Sequence, residues 1–473
     1  MPIKFGTDGW RGIIAEDYTF DNVRLCAQGM ADYLKDQGQA SRGVVVGYDT
    51  RFGSEEFATA VAEVTTANLI TTYICDRAAP TPAVAYNVVA LDAGGGAVIT
   101  ASHNPPQWNG FKYKPDYGGS ASPEVVVELE RKIAEAEASH GIRRISLSVA
   151  ESQGLLERIN PEPAYLGHIA TQVDLEAIRH AGLNIVVDPM FGSATGYLRR
   201  LLSGGSTKVA EIRKERNPAF PGMAQPEPIA HNLKPLMASV IRRRADVGLA
   251  TDGDGDRLGI VDEKGQFVTT LQSFALLCLH ALEVLGERGP LVRSITMTSM
   301  VDRLGALYDV PVFDTPVGFK FLGQVMMQEN ALLAGEESGG YAFRGNIPER
   351  DGVLSALMLL EMMVKTGKTP TELLAMLEEK VGPHHYDRWD VVFDPTQREA
   401  IQARVRTARP SSLGGRTVQE IDMRDGVRFI LEGGFWALVR FSGTEPLLRI
   451  YAEAESLGEV AALLGEARAM TGV

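Results

Sequence analysis

Asp252-Gly253-Asp254-Gly255-Asp256-Arg257 sets three carboxylates at alternate positions with glycine between them. On an extended segment alternate side chains share one side, and the glycines let the backbone curve until all three converge. Convergent carboxylates repel unless a cation joins them, and three oxygens with open positions suit Mg²⁺ working with a phosphate. A calcium loop of the EF-hand type competes with this reading, since Glu263 stands at the twelfth position from Asp252. That loop needs glycine where this chain has Arg257, and it needs flanking helices, whereas residues 247–250 and 258–261 have a strand-like pattern. A solvated acidic turn with no ion is the plain alternative.

A second chemical candidate is Ile99-Thr100-Ala101-Ser102-His103-Asn104-Pro105-Pro106. The prolines remove two donors and fix φ, so Ser102 lies on a constrained loop after a β-branched strand. Serine is a weak nucleophile without a base, a metal or an arginine cluster. His103 is adjacent, but neighbours on an extended chain point opposite ways, so it is not required to be the base. The hydrolase elbow Gly-x-Ser-x-Gly is absent. A simple Ser/Asn turn and a reacting hydroxyl both remain open on these residues alone.

Three further loops carry weaker signals. Arg440-Phe441-Ser442-Gly443-Thr444-Glu445-Pro446, with Arg449 beyond, can turn at Gly443 so that N–H groups and two hydroxyls face a phosphate, with Arg440 adding a bidentate contact. On these residues alone a hairpin with a Ser-Gly turn is the better reading. Gly335-Glu336-Glu337-Ser338-Gly339-Gly340 offers acids and a serine to vicinal sugar hydroxyls, or merely a helix start. Thr315-Pro316-Val317-Gly318-Phe319-Lys320 presents one cation, and lone lysines are usually solvated.

The elements that must position these loops alternate. Strand-like runs at residues 43–47, 97–100, 183–188, 247–251, 258–262 and 294–297 are separated by helical spacing at 22–35, 57–69 and 273–285, an α/β pattern. A length of 473 residues predicts about three domains. The charged helical stretch 123–139 and the basic pair Arg143-Arg144 mark a first division near 145, and the polar turn after residue 262 a second. From residue 389 the order becomes strand, helix, Gly-rich turn, strands, helix, a small α+β unit. The expected units are residues 1–145, 146–262, 263–384 and 385–473. No internal repeat is visible in residue identities.

A net charge of -13 argues against a nucleic-acid partner, so an anionic substrate must be small and met by a local basic pocket. Cys26, Cys75 and Cys278 are odd in number and widely spaced, which argues against a disulfide framework and a cysteine metal site. The first twenty residues lack the apolar core of a signal peptide, and the apolar segment at 274–285 is too short to span a bilayer. A cytoplasmic protein without a membrane partner, monomeric or homodimeric, is expected.

In this order the motifs resemble one family, the α-D-phosphohexomutases. The resemblance covers nearly the whole chain: Phe5-Gly6-Thr7-Asp8-Gly9-Trp10-Arg11-Gly12, Asp49-Thr50-Arg51, TASHNP with Asn109-Gly110-Phe111-Lys112, then DGDGDR, TPVGFK, GEESGG and RFSGTEP. It implies three related α/β domains with mixed sheets plus a C-terminal α+β domain around a central cleft. It implies a resting phosphoserine at Ser102 and Mg²⁺ held by that phosphate with Asp252, Asp254 and Asp256. The fourth domain's loop, with Arg440, Ser442, Gly443, Thr444 and Arg449, would hold the substrate's non-reacting phosphate, while Glu336 and Ser338 select sugar hydroxyls. Arg11, Arg257 and Lys320 would complete a basic cleft, and Lys112 and His103 are its acid/base candidates. Lys112 serves as a base if nearby positive charge or burial lowers its pKa.

The activity so implied moves a phosphoryl group between O1 and O6 of one sugar through glucose 1,6-bisphosphate. GEES and TPVGFK resemble glucose-selective members, whereas mannose-accepting ones often carry Met at the Glu337 position. The FGTDGWRG opening is closer to amino-sugar or dual-specificity branches. Phosphoglucomutase is favoured, dual glucose/mannose activity comes next, and glucosamine mutase, which usually reads GEQSGH, last. The competing classes are a non-catalytic sugar-phosphate binder and a phosphatase that hydrolyses its phosphoserine.

Overall fold

The structure is a computed structural model that describes residues 3–6, 8–442 and 447–473. Four sheets organise the described residues, one more than the domain count that length alone predicts. In the first, Thr72–Cys75, Val44–Tyr48 and Gly95–Ile99 run parallel, and Trp108–Pro115 and Trp10–Ile13 follow antiparallel. Every residue of Val44–Tyr48 is buried, as expected for a parallel strand covered by helices on both faces. Leu156–Ile159 adds a parallel edge to this sheet, so the first sheet reaches past the division expected near residue 145. The second sheet has Lys208–Glu211, Asn184–Asp188 and Val247–Thr251 in parallel, then Leu258–Val261 antiparallel and the short Phe267–Val268. That last strand lies beyond the division expected after residue 262.

In the third sheet Val312–Thr315, Leu291–Ser294 and Leu333–Gly335 are parallel, and Tyr341–Phe343 returns antiparallel. The strand expected at 294–297 is therefore shifted toward Leu291. Arg293 hides the pattern: it is buried in the strand and paired with Asp314 at 2.7 Å and Asp302 at 2.7 Å. The fourth sheet is antiparallel throughout, from His385–Val392 through Leu447–Ala454, Trp436–Phe441, Val427–Leu431 and Arg416–Asp422 to Ser412–Leu413.

Topology supplies the repeat that residue identities conceal. In each of the first three sheets one motif joins a parallel strand to the antiparallel strand beside it: the Ser102 loop follows Gly95–Ile99, the aspartate loop follows Val247–Thr251, and the GEESGG loop follows Leu333–Gly335. These are the C-terminal strand ends where open α/β sheets collect their working residues. One apolar core, from Val46 through Leu249 to Leu357, runs through all three units. The fourth sheet packs on a separate core that includes Phe429, Ile450 and Leu463. Among the described residues no helix is long and apolar enough to cross a membrane.

Candidate active site

Ser102 is fully buried and has φ of 51°, a left-handed conformation rare for residues other than glycine. The chain is therefore not extended there, and the turn brings His103 Nδ1, an acid/base candidate, to 3.3 Å from Ser102 Oγ. Ser102 Oγ donates to Asp252 Oδ2 at 2.8 Å, and its backbone N–H donates to Thr100 Oγ1 at 2.8 Å. Thr100 in turn donates to Asp49 Oδ2 at 2.6 Å.

Arg51 fastens this loop from beneath. Its guanidinium donates to the carbonyls of Ser102, Asn104, Pro105 and Trp108, and pairs with Asp49 at 3.2 Å. Five donors in a rigid fork can satisfy several carbonyls at once, which a lysine cannot do. The strained Ser102 backbone is thus held by a fully buried ion pair.

Ligand atoms of Asp252, Asp254 and Asp256 lie within 4.8 Å of one another, and all three residues are buried. Gly253 is required by close approach, since a Cβ there would stand 2.6 Å from the Ser102 carbonyl oxygen. Thr81 ties the loop to the first unit, donating from N–H to the Asp254 carbonyl at 2.8 Å and from its hydroxyl to Asp254 Oδ2 at 2.6 Å. Burial, then the charges of Asp256 and Asp254, push the Asp252 carboxyl well above the usual range. Asp254 Oδ1 and Asp256 Oδ1 are buried with no hydrogen-bond partner. Crowded carboxylates with orphaned oxygens beside a serine hydroxyl fit a divalent cation, and strands rather than EF-hand helices flank them.

Lys112 Nζ contacts Asp8 at 2.6 Å, Asp254 at 2.8 Å and Asp256 at 3.2 Å. Burial works against its charge, but Asp254, Asp256 and Asp8 outweigh it, and the pKa is raised. The lowering expected of a general base does not occur here, because carboxylates and not cations surround this lysine. His103 goes the other way: burial, then Arg257, Arg11, Arg51 and Lys112, hold it well below its ordinary value, so the imidazole is neutral. Arg11 donates to Asn104 Oδ1 on the serine loop, and Arg257 pairs with Glu227 at 2.8 Å while its Nε lies 4.0 Å from both Asp252 and Asp256.

Glu336 is buried, and its Oε1 accepts from the Gly318 N–H at 2.9 Å, joining GEESGG to TPVGFK. Ser338 Oγ is a buried hydroxyl with no partner, suited to a sugar hydroxyl. Lys320 Nζ donates to the Gly6 carbonyl at 3.3 Å, bringing the third unit to the N-terminal loop. Arg440 Nε donates to Asp425 at 2.9 Å. Arg440 and Arg449 are cross-strand partners at the start of the phosphate-loop candidate. Ser442 N–H donates to the Leu447 carbonyl at 2.8 Å, and its own carbonyl accepts from Arg398 at 3.0 Å. Gly443 and Thr444 lie outside the described residues.

Family models match this chain in four consecutive pieces: phosphoglucomutase/phosphomannomutase alpha/beta/alpha domain I at residues 2–140, domain II at 163–265, domain III at 272–381 and the C-terminal domain at 394–470. The chain belongs to the phosphohexomutase family. A phosphoglucomutase/phosphomannomutase of Thermococcus kodakarensis is 33% identical over 456 residues, covering 96% of this chain and 94% of the relative. A phosphoglucosamine mutase of Frankia alni is 31% identical over 473 residues, covering 96% and 95%. A crystal structure from Thermus thermophilus, carrying a provisional phosphomannomutase name, is 34% identical with a TM-score of 0.87 and covers 100% of both chains.

This phosphohexomutase also has site residues without a sequence signal of their own. Arg350 pairs with Asp8, lies 3.0 Å from Asp256 and 3.9 Å from Glu336, and so joins three units. Lys114 pairs with Glu349, whose carboxylate also accepts from Ser120 at 2.9 Å. These are charged residues inside otherwise buried segments; a fully buried charge must be paired, and that was the available hint.

Proposed function

We propose that this phosphohexomutase interconverts glucose 1-phosphate and glucose 6-phosphate through a phosphoserine at Ser102 and glucose 1,6-bisphosphate. One observation carries the reading: Ser102 Oγ stands 2.8 Å from Asp252 at the head of the buried aspartate cluster. Asp252, Asp254 and Asp256 would hold Mg²⁺ together with the Ser102 phosphate. Mg²⁺ so held neutralises charge on the transferring phosphoryl oxygens.

In the first half-reaction the bond from phosphorus to Ser102 Oγ breaks and one to a sugar hydroxyl oxygen forms. The hydroxyl proton passes to a base, and the neutral His103 has the lone pair for it, while the charged Lys112 stabilises the anionic side of the exchange. Arg11 and Arg257 add positive charge at the mouth of the serine loop. Arg440, Arg449, Ser442, Gly443 and Thr444 would hold the non-reacting phosphate, with Lys320 in the same basic cleft. Glu336 and Ser338 would take sugar hydroxyls. The bisphosphate then turns round, and Ser102 recovers the other phosphoryl group. Three free buried cysteines support a cytoplasmic setting.

A second reading, dual glucose/mannose activity, draws on the relative named phosphoglucomutase/phosphomannomutase. Rates measured side by side with glucose 1-phosphate, mannose 1-phosphate and glucosamine 1-phosphate separate these. The first reading expects glucose to lead in kcat/KM by at least about tenfold, a difference of about 1.4 kcal/mol. Equal glucose and mannose rates support dual specificity, and a lead for glucosamine overturns both. Mass spectrometry after incubation with glucose 1,6-bisphosphate and Mg²⁺ should find phosphate on Ser102; its absence removes the covalent route.

A further inference from the structure

Two consecutive amides of the TPVGFK loop are held by carboxylates from different units. Gly318 N–H donates to Glu336 Oε1 at 2.9 Å, within the third unit, and Val317 N–H donates to Asp425 Oδ2 at 3.0 Å, from the fourth. The same Asp425 oxygen accepts from Arg440 Nε at 2.9 Å. A single chain of contacts thus runs from the acid that faces the sugar, through two neighbouring amides, to the arginine assigned to the phosphate. Asp425 is itself locked in place. Gly426, next to it, has φ of 97°, and a Cβ there would stand 2.5 Å from the Val439 carbonyl, so the turn presses on the strand bearing Arg440. A parallel tie lies alongside: the Glu337 carboxylate accepts from Tyr386 Oη at 2.9 Å and from Arg388 at 3.2 Å, both on the fourth sheet.

From this geometry we infer that Asp425 is a positioning residue that sets Arg440 in register with the sugar-selecting loop. The inference rests on the proposed role of Arg440 in holding the non-reacting phosphate. Within one substrate the spacing between phosphate and ring hydroxyls is set by covalent structure. A site built on two units must hold that spacing by contacts across the seam: Ile295 packs with Trp436, Leu438 and Tyr451 there, and a carboxylate that touches both loops fixes their polar register. The bisphosphate must also be accepted in two orientations, so both loops need to keep one relative position while the sugar turns.

The test uses the full-length enzyme. Asp425→Asn should raise KM for glucose 1-phosphate about tenfold while kcat stays within about threefold, the pattern of lost uniform binding. Asp425→Glu, which keeps both acceptors, should recover most of the loss, and circular dichroism should find both variants folded. Calorimetric Kd values for glucose 1-phosphate complete two double-mutant cycles. In an Arg440→Ala background Asp425→Asn should add less than about twofold, and its effect should also be non-additive with Glu336→Gln. A KM within twofold of wild type for Asp425→Asn, or additive effects in either cycle, overturns the inference. If Arg440→Ala alone leaves KM and Kd unchanged, it is the role of Arg440 that fails.

Discussion

Ser102 and the aspartate loop meet between two sheets that share one apolar core, and their neighbours Arg51, Asp49, Thr81 and Lys112 are buried. Arg440 and Glu336 stand across a seam between two units, joined by a small buried cluster in which Ile295 meets Trp436, Leu438 and Tyr451, by the buried Glu453 that accepts from Ser299, and by half-buried polar contacts at Asp425 and Glu337. The difference matches the two proposed tasks. Phosphoryl transfer tolerates little misplacement of the reacting atoms, so that region is fixed from several sides. Recognition would have to accept a sugar in two orientations, so that region is assembled from loops of two units held in one register by contacts across the seam.

The sharpest break of this comparison is at Ser102. Ser102→Ala should lower turnover by more than about 10³-fold, since the proposed covalent carrier has no substitute. Its thermal midpoint should stay near wild type, because the loop is held through backbone carbonyls that the substitution keeps. Substantial residual mutase activity would place the chemistry elsewhere.

Metal removal comes next. A chelator should lower kcat by about 10²- to 10³-fold, reversibly on adding Mg²⁺. Asp254→Asn should abolish that rescue. Binding of glucose 1-phosphate should suffer far less, since the proposed phosphate contacts sit across the seam. Equal losses in kcat and affinity would mean that the two regions are not functionally separate.

Arg51 tests whether rigidity at the chemical region matters. Arg51→Lys keeps the charge but strands several buried carbonyls, which costs about 2–4 kcal/mol of stability. We expect kcat to fall by up to about 10²-fold with KM within about threefold, as the Ser102 loop loses its fastening. A normal kcat in a destabilised protein would make Arg51 structural only.

The same contrast governs what could be read from the chain. The aspartates are contiguous in sequence, and their alternation with glycine states the chemistry directly. Arg51 is as important to the site, yet its partners are carbonyls of residues 102, 104, 105 and 108, and a carbonyl carries no residue identity. The left-handed turn at Ser102 is likewise imposed by tertiary contacts, so the geometry of an extended chain could not locate His103 relative to the serine. Arg293 disguised a buried strand because its neutralising partners, Asp302 and Asp314, lie on other elements. The raised pKa of Lys112 depends on Asp8, Asp254 and Asp256, which only the fold brings together. At the seam the local pattern left the Arg440 loop open between a phosphate loop and a plain hairpin, and the resemblance to a family favoured the phosphate loop.

The smallest effect should come from Glu337, which stands beside Glu336 in sequence but contacts Tyr386 and Arg388 of the fourth unit. Glu337→Gln keeps an acceptor for Tyr386 and loses the charge pairing with the partly exposed Arg388, an interaction worth about 1 kcal/mol or less. We therefore expect KM for glucose 1-phosphate to change by less than about fivefold, with the ratio of glucose to mannose rates unmoved. A residue that read the sugar itself would behave differently, because stranding a buried substrate hydroxyl discriminates strongly between sugars. A shift of more than about tenfold in the ratio would thus move Glu337 from the seam into the sugar site and blur the division between fixed chemistry and assembled recognition.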